Sequence, residues 1–212
     1  MPRIRPLAFL LGALGLLGRG AAAEAPPKPM VIAEAKLPEG FPGPGPVGAV
    51  IVKEYPAYRL ARTRSGAGDG GMFMRLFRHI ERHDVKMTAP VEMTMPEGEA
   101  GGTGSAMAFL YGSPEIGTPG PDPADADVVV EDVPPLTVAS VGIRGGYGPA
   151  TFARGEKQVR DWLRDHPEWE PAGPPRALAY NSPFVPGMLK YAEVQVPVAA
   201  RPRAPAPAPA KP

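Results

Sequence analysis

Cysteine is absent from all 212 residues of the chain. Its absence excludes disulfide bonds, cysteine-ligated zinc, thiolate-ligated haem and covalent attachment of haem through a CxxCH motif. If the chain is exported, it must therefore be stabilised by its packed core, because no cross-links are available.

Long apolar runs are also lacking, since the run Leu7–Gly18 has 12 residues and a membrane helix needs about 20. Arg3 and Arg5 precede this run, and the small residues 21–23 follow it. This pattern is typical of a secretory signal over residues 1–23, with an uncleaved N-terminal anchor as the alternative. We expect a periplasmic or secreted protein with no stable membrane span after cleavage.

An excess of charge of either sign is missing, since 23 basic residues stand against 22 acidic ones. Without residues 1–23 the balance becomes 20 basic against 22 acidic. This near neutrality gives no indication of a nucleic-acid partner.

The nucleophile elbow GxSxG, the P-loop and the HExxH motif are absent as well, so we predict that the protein is not an enzyme.

Proline and glycine are abundant, with 31 and 26 residues, and proline is densest before residue 48 and after residue 198. Residues 24–47 form a Pro/Gly-rich leader, and residues 199–212 form a Pro/Ala-rich tail that is predicted to be disordered. The predicted folded domain is residues 48–198.

The domain contains two predicted helices, Met72–His83 and Gly148–His166. Apolar residues at helical spacing give the first helix one buried stripe, formed by Phe73, Leu76, Phe77 and Ile80. Strands are predicted in 49–64, 85–96, 106–112, 127–133, 136–146, 176–183 and 189–198, with 113–127 as a surface connection. The order strand, glycine turn, helix, strand, strand occurs twice, which predicts an α+β fold with mostly antiparallel strands.

Methionines alternate along the predicted strand Val85–Pro96, which places Met87, Met93 and Met95 on one face. We interpret them mainly as core residues and not as ligand contacts. Pro90 cannot donate a ladder hydrogen bond, so the strand is predicted to lie at a sheet edge or to be bulged there.

Several motifs occur in one order along the domain: "VKMTAPV" (85–91), "DVVVEDVPPLTV" (127–138), "GGYG" (145–148), and "AYNSP" followed by "AEVQV" (179–196). Together they resemble the SOUL haem-binding protein family. The resemblance implies a distorted β-barrel of two pseudo-repeats, flanked by two helices. It also implies reversible, non-covalent binding of haem or another tetrapyrrole, without established catalysis.

The resemblance further implies a ligand position beside the first helix and the loop joining the last two strands, residues 182–190. On the helix, Met72, Leu76, His79 and His83 share one flank. His79 is the candidate axial iron ligand, and two solvated histidines or a bare metal site are the alternatives. Some family members carry a histidine before the tyrosine of the first strand, where this chain has Glu54, so that mode of ligation is excluded.

Haem carries two carboxylates, so its site needs cations as well as apolar walls. Arg78, at a position often basic in the family, is the first propionate candidate, and Lys190 is the second. The loop also holds Phe184, Met188 and Leu189, whose exposure would indicate contact with a ligand or partner. Alternatively, the loop folds back onto the sheet.

Three functions remain open at this point. The first is an exported haem or tetrapyrrole-binding protein that acts as a carrier, buffer or scavenger. The second is a module that binds another lipophilic small molecule and is indifferent to iron. The third is a non-catalytic protein-interaction domain.

Overall fold

The structure is a computed structural model that describes residues 35–64, 68–94, 106–182 and 184–202. The predicted signal segment 1–23 lies outside the described residues. In chain order, the elements are β1 (Val50–Tyr55), β2 (Tyr58–Thr63), α1 (Gly68–Arg82), β3 (Val91–Thr94), β4 (Ala106–Leu110), β5 (Gly120–Asp122), β6 (Asp125–Val133), β7 (Leu136–Arg144), α2 (Pro149–Asp165), β8 (Trp169–Pro171), β9 (Arg176–Ala179) and β10 (Tyr191–Ala200).

The strands form one sheet in the order β1-β7-β10-β9-β3-β4-β2-β6-β5, with β8 paired to β10. The pairs between these strands are antiparallel. The predicted α+β class with mostly antiparallel strands is therefore confirmed. Among the described residues the sheet stays open between β1 and β5, so the predicted barrel is not closed.

Both helices pack on the same face of the sheet, over different halves of it. Helix α1 contacts β2, β4 and β6, whereas α2 contacts β1, β7 and β10. The pair β3–β9 lies between these halves in the strand order. The approach of α2 is close, because a Cβ atom at Gly155 would lie 2.6 Å from Cγ2 of Val194. Only glycine allows this contact.

The opposite face of the sheet carries a buried polar network. Nη1 of Arg176 donates to Oε2 of Glu92 at 2.8 Å, and Nζ of Lys53 donates to Oε1 of Glu193 at 2.8 Å. Gln195 joins the two ion pairs, since it accepts from Nε of Arg176 and donates to Oε2 of Glu193. Each charge is buried with an opposite charge, as burial requires.

Part of the predicted leader covers this network. Phe41 packs edge-on against Tyr55 and Tyr58, with ring centroids 5.0 and 5.1 Å away. Val47 forms a β-bridge to Gly142. A Cβ atom at position 142 would lie 2.5 Å from the carbonyl oxygen of Pro46, so this close approach requires glycine. Packing therefore begins at least at residues 37–47, before the predicted domain boundary at residue 48.

The predicted strand Val85–Pro96 is mostly not a strand, because β3 contains only Val91–Thr94 and residues 95–105 lie outside the described part. The peptide bond before Pro90 is cis, and β3 lies between β4 and β9. The prediction of an edge strand is therefore wrong: Pro90 precedes the ladder and needs no partner in it. Met93 is buried and Met87 packs against the core, as expected, whereas Met95 is outside the described residues.

Two further boundaries differ from the prediction. The predicted surface connection 113–127 contains β5 and the start of β6, and it buries Asp122. At the other end, β10 continues to Ala200, and the N–H of Arg201 donates to the carbonyl oxygen of Glu168, inside the predicted tail. In the described ranges, no helix combines the length and apolar character needed to cross a membrane.

Candidate functional site

The loop between β9 and β10 is fixed at its base by Tyr147, Asn181 and Tyr191. The hydroxyl oxygen of Tyr147 accepts the N–H of Asn181 at 2.8 Å and donates to the carbonyl oxygen of Tyr191 at 3.0 Å. Oδ1 of Asn181 accepts the N–H of Tyr191 at 2.6 Å. Burial raises the pKa of Tyr147 to about 12, so it stays a neutral donor. Residues of the motifs "GGYG" and "YNSP" are thus hydrogen-bonded to one another, and we call Tyr147, Asn181 and Tyr191 the clamp.

Beyond this clamp, the loop exposes three apolar side chains, Phe184, Met188 and Leu189, which we call the loop tip. Phe184 is 93% exposed, Met188 80% and Leu189 37%. Val185 is buried between them and the clamp, and Gly187–Leu189 forms a single 3-10 turn. The loop does not fold back onto the sheet at these three side chains, so the alternative made from the sequence is wrong here.

Three cations border the loop tip, and we call them the cationic corner: Arg144, Arg154 and Lys190. Nη1 of Arg144 donates to the carbonyl oxygen of Leu189 at 3.3 Å, and Nη2 of Arg154 donates to the carbonyl oxygen of Arg144 at 3.0 Å. Nζ of Lys190 lies 4.9 Å from the ring centroid of Tyr147. The positive charges are thus held beside an exposed apolar surface.

The connection that follows α1 and the loop after β9 meet at one end of the central strand pair. Residues 83–90 connect α1 to Val91, the first residue of β3, and Val91 pairs with Ala179, the last residue of β9. The loop starts two residues later. Helix α1 itself packs over β2, β4 and β6.

The predicted helix residues divide into buried and exposed ones. Met72, Leu76 and His79 face the sheet and are buried in the structure, so they support α1 and present little surface to a ligand. Arg78 and His83 are exposed. Of the predicted ligand-contacting residues on α1, these two are accessible from solvent.

His79 is bound on both sides of its ring. Nδ1 lies 2.6 Å from Oδ2 of Asp122, and Nε2 lies 2.8 Å from the hydroxyl oxygen of Tyr111. Since an ionised carboxylate only accepts, Nδ1 carries the proton and Nε2 accepts the hydroxyl hydrogen of Tyr111. Burial lowers the pKa of His79, and Asp122 offsets part of this effect. His79 is therefore a neutral, fully hydrogen-bonded imidazole.

Asp122 is the centre of this cluster. Its buried carboxylate also accepts from Nη2 of Arg82 at 2.5 Å, and Nε2 of His83 lies 3.5 Å from its Oδ1. Burial alone would raise the pKa of Asp122, but hydrogen bonds from His79 and Arg82 hold it well below its usual value. The cluster joins the end of α1 to β5.

The side chains of this cluster are also of the types that bind metal ions. Single ligand atoms of His79, His83 and Asp122 all lie within 4.8 Å of one another. However, Arg82 already binds the carboxylate, and both nitrogens of His79 are hydrogen-bonded. The geometry therefore fits an ion-paired anchor between α1 and β5 better than a metal site.

A second concave surface lies at the far end of α2, with a cavity of about 400 Å³ beside Trp169 and Arg201. Its arginines are paired with acids: Arg160 with Glu156, Arg164 with Asp161 and Arg201 with Glu170. The charge of this surface is thus largely compensated.

The sequence missed Asp122, Tyr111 and Tyr147. Asp122 lies in a stretch rich in Pro, Gly and Asp, which resembles a solvated connection. Its role depends on the strand pairing of β5 with β6, which no local pattern predicts. Tyr147 lies within the "GGYG" motif, but the motif supported only the family resemblance and did not indicate the hydrogen bonds of Tyr147 with Asn181.

Comparison with known proteins gives one family match, in which the family model of the SOUL heme-binding protein covers residues 48–197. A search of curated proteins finds no match.

Among solved structures, the crystal structure of the EcmrR C-terminal domain is similar at 14% identity and a TM-score of 0.54, covering 72% of this chain and 98% of that one. A hydrolase from Listeria innocua is similar at 7% identity and a TM-score of 0.52, covering 73% and 94%. The cryo-EM structure of the EcmrR–DNA complex in EcmrR-RPo gives 14% identity and a TM-score of 0.54, but this chain spans only 58% of that EcmrR chain. At these identities the similarity shows the fold alone.

Proposed function

The chain belongs to the SOUL heme-binding protein family, and we propose that it binds haem or another tetrapyrrole reversibly, without a covalent bond. Its role would be that of a carrier, buffer or scavenger outside the cytoplasm, as the signal-like residues 1–23 suggest. No reaction is part of this proposal.

The exposed loop tip beside the cationic corner is the observation that supports this proposal most strongly. Haem combines a flat apolar ring with two carboxylates and an iron. Phe184 and Met188 offer apolar contacts that are otherwise left in water, and methionine adapts well to a flat ligand. Lys190 and its neighbouring arginines offer partners for carboxylates. The residues present therefore fit the group.

The proposed ligand position lies between the loop and the C-terminal end of α1. Phe184, Met188, Leu189 and Lys190 would contact it from the loop, and Arg78 and His83 from the helix. Met72 and Leu76 would act indirectly, because they hold α1 against the sheet. The clamp of Tyr147 and Asn181 would keep the loop in place before the ligand arrives, which lowers the entropy cost of binding.

Iron ligation by His79 is not supported by its two hydrogen bonds and its burial. His83 is the exposed imidazole on this flank of α1 and is the histidine we propose for any contact with iron. With Glu54 before Tyr55 as well, binding should depend mainly on shape and on carboxylates. This observation favours, as a second candidate, a module for lipophilic small molecules that is indifferent to iron.

Titration with haemin and with metal-free protoporphyrin IX, followed by absorbance, tests both candidates. We expect both compounds to bind at one equivalent with similar Kd values, and His83→Ala to change the haemin spectrum more than the affinity. Strong preference for haemin that His83→Ala removes would instead establish iron ligation. If neither compound binds below about 10 μM, or about −7 kcal/mol, the proposed function is wrong.

A further inference from the structure

The loop tip is an unusual surface for a folded domain, because its large apolar side chains are exposed to water. Three N–H groups of the loop are satisfied internally: Val185 donates to Ser182, Leu189 to Pro186 and Lys190 to Gly187, at 3.2, 2.9 and 3.1 Å. Pro186 has no N–H. These three hydrogen bonds would persist if the tip entered an apolar medium.

The chain segments that form the tip carry mainly positive charge. Residues 143–155 and 180–192, which include the end of β7, the start of α2 and the loop, contain two arginines, one lysine and no acidic residue. The acids that directly follow these ranges are already paired, Glu156 with Arg160 and the buried Glu193 with Lys53. The chain as a whole is nearly balanced, with a formal charge of +1. The cationic corner is thus a local feature, held against the loop by the contacts of Arg144 with Leu189 and of Arg154 with Arg144.

An apolar tip with a ring of cations is complementary to the surface of an anionic bilayer. Phenylalanine and methionine gain free energy by entering the interfacial region, while lysine and arginine remain at the level of the charged headgroups. Each cation near such a surface contributes about 1 kcal/mol, or roughly fivefold in affinity. We propose that the loop tip and the cationic corner dock the protein onto anionic phospholipid membranes.

This docking requires no tetrapyrrole and therefore goes beyond the proposed function. Since the same loop serves both, tetrapyrrole and membrane should compete for the tip. The membrane contact would be peripheral: it involves one loop and the first turns of α2.

Flotation with vesicles, in the absence of haemin, tests the proposal. The vesicles are pure phosphatidylcholine or phosphatidylcholine with about one third phosphatidylglycerol. We expect the full chain to float with the anionic vesicles only, and high salt to weaken binding because it screens the headgroup charge. Phe184→Ser with Met188→Ser should reduce binding at least about tenfold, and Arg154→Gln with Lys190→Gln should reduce it about tenfold or more.

Two matched variants control for general surface effects. Met74→Ser with Ile116→Ser removes the other exposed large apolar side chains of the described residues, at 46% and 40% exposure. Arg160→Gln with Arg164→Gln removes two cations from α2 at a distance from the loop. Both controls should float like the wild type.

Three results would overturn the proposal: no flotation, equal flotation with both vesicle types, or flotation that the tip variant leaves unchanged. If the chain instead forms a dimer in solution that Phe184→Ser with Met188→Ser abolishes, and it does not float, the tip is an interface between two copies. In that case the lipid proposal is also wrong. Because haemin is absent, these outcomes are independent of tetrapyrrole binding.

Discussion

The C-terminal end of α1 and the loop between β9 and β10 differ in both polarity and burial. At the end of α1, a histidine, an aspartate and a tyrosine are buried and hydrogen-bonded to one another. In the loop, phenylalanine and methionine are almost fully exposed. The polar side chains are hydrogen-bonded within the protein, whereas the apolar side chains of the loop remain exposed to solvent. A ligand or surface is therefore expected at the loop and not at His79.

Within these two regions, the largest effect should come from removing the centre of the buried cluster with Asp122→Ala. The change leaves Arg82 and the buried His79 without their acceptor, so we expect the free energy of unfolding to fall by about 3 kcal/mol. Urea denaturation measures it. The matched control is Asp161→Ala, which also breaks two ion pairs, with Lys157 and Arg164, but on the exposed side of α2.

That control should lower the free energy of unfolding much less, because exposed ion pairs contribute little. Equal losses in the two variants would show that the cluster at Asp122 is no more important than a surface pair.

A smaller effect is expected from pH, through His79. Burial lowers its pKa below the ordinary 6.5, so the unfolded chain binds the proton more readily than the folded one. The stability that the neutral imidazole provides is complete above about pH 6.5 and is lost as the pH falls through the lowered value. Asp122 adds a second loss only below its ordinary pKa of 3.8.

Urea midpoints at several pH values between about 7 and 5 would show the first loss. His79→Gln keeps a polar side chain that does not titrate, and its midpoint should vary less over this interval. The same slope in wild type and variant would contradict the account of His79.

At the cationic corner, Lys190→Gln should weaken haemin binding by up to about fivefold, since a partly exposed charge pair contributes roughly 0.2–1 kcal/mol. Lys157→Gln is the control, because this exposed lysine of α2 is paired with Asp161, and it should leave the Kd unchanged. Kd values from absorbance titrations at low and high salt measure the effect, which should shrink at high salt. Identical Kd values for both variants would exclude Lys190 as a carboxylate partner.

The smallest effect concerns stability at the loop tip. Phe184→Ser with Met188→Ser should change the free energy of unfolding by no more than about 0.5 kcal/mol, because these side chains bury little in the folded protein. Leu76→Ala on α1 is the buried counterpart and should cost about 2–5 kcal/mol. Urea denaturation of both variants checks the contrast, and a large loss at the tip would mean that it packs against the protein after all.

Much of the fold could be predicted because its signals are local. The spacing of Leu76 and Ile80 predicted α1, and alternation predicted most strands of the antiparallel sheet. The packing of Phe41 and the burial of Asp122 could not be predicted in this way. Each lies in a stretch rich in Pro and Gly, and its contacts come from residues distant in the sequence.

The candidate site was predicted in part for the same reason. Helical spacing correctly placed His79 and His83 on one flank, 4.7 Å apart between ring centroids. It could not show that Tyr111 and Asp122 occupy both nitrogens of His79, because these partners come from β4–β5. The apolar residues of the loop could be identified as candidates from the sequence, because a loop rich in Pro and Gly has no obvious structural need for large apolar side chains.

Haemin titration of Phe184→Ser with Met188→Ser beside the wild type tests the central claim most directly. The account predicts one equivalent bound by the wild type and a Kd at least about tenfold higher in the variant, since two apolar contacts are lost. The urea midpoint should stay unchanged, which separates binding from folding. Equal Kd values in the two proteins would contradict the claim and move the ligand away from the loop.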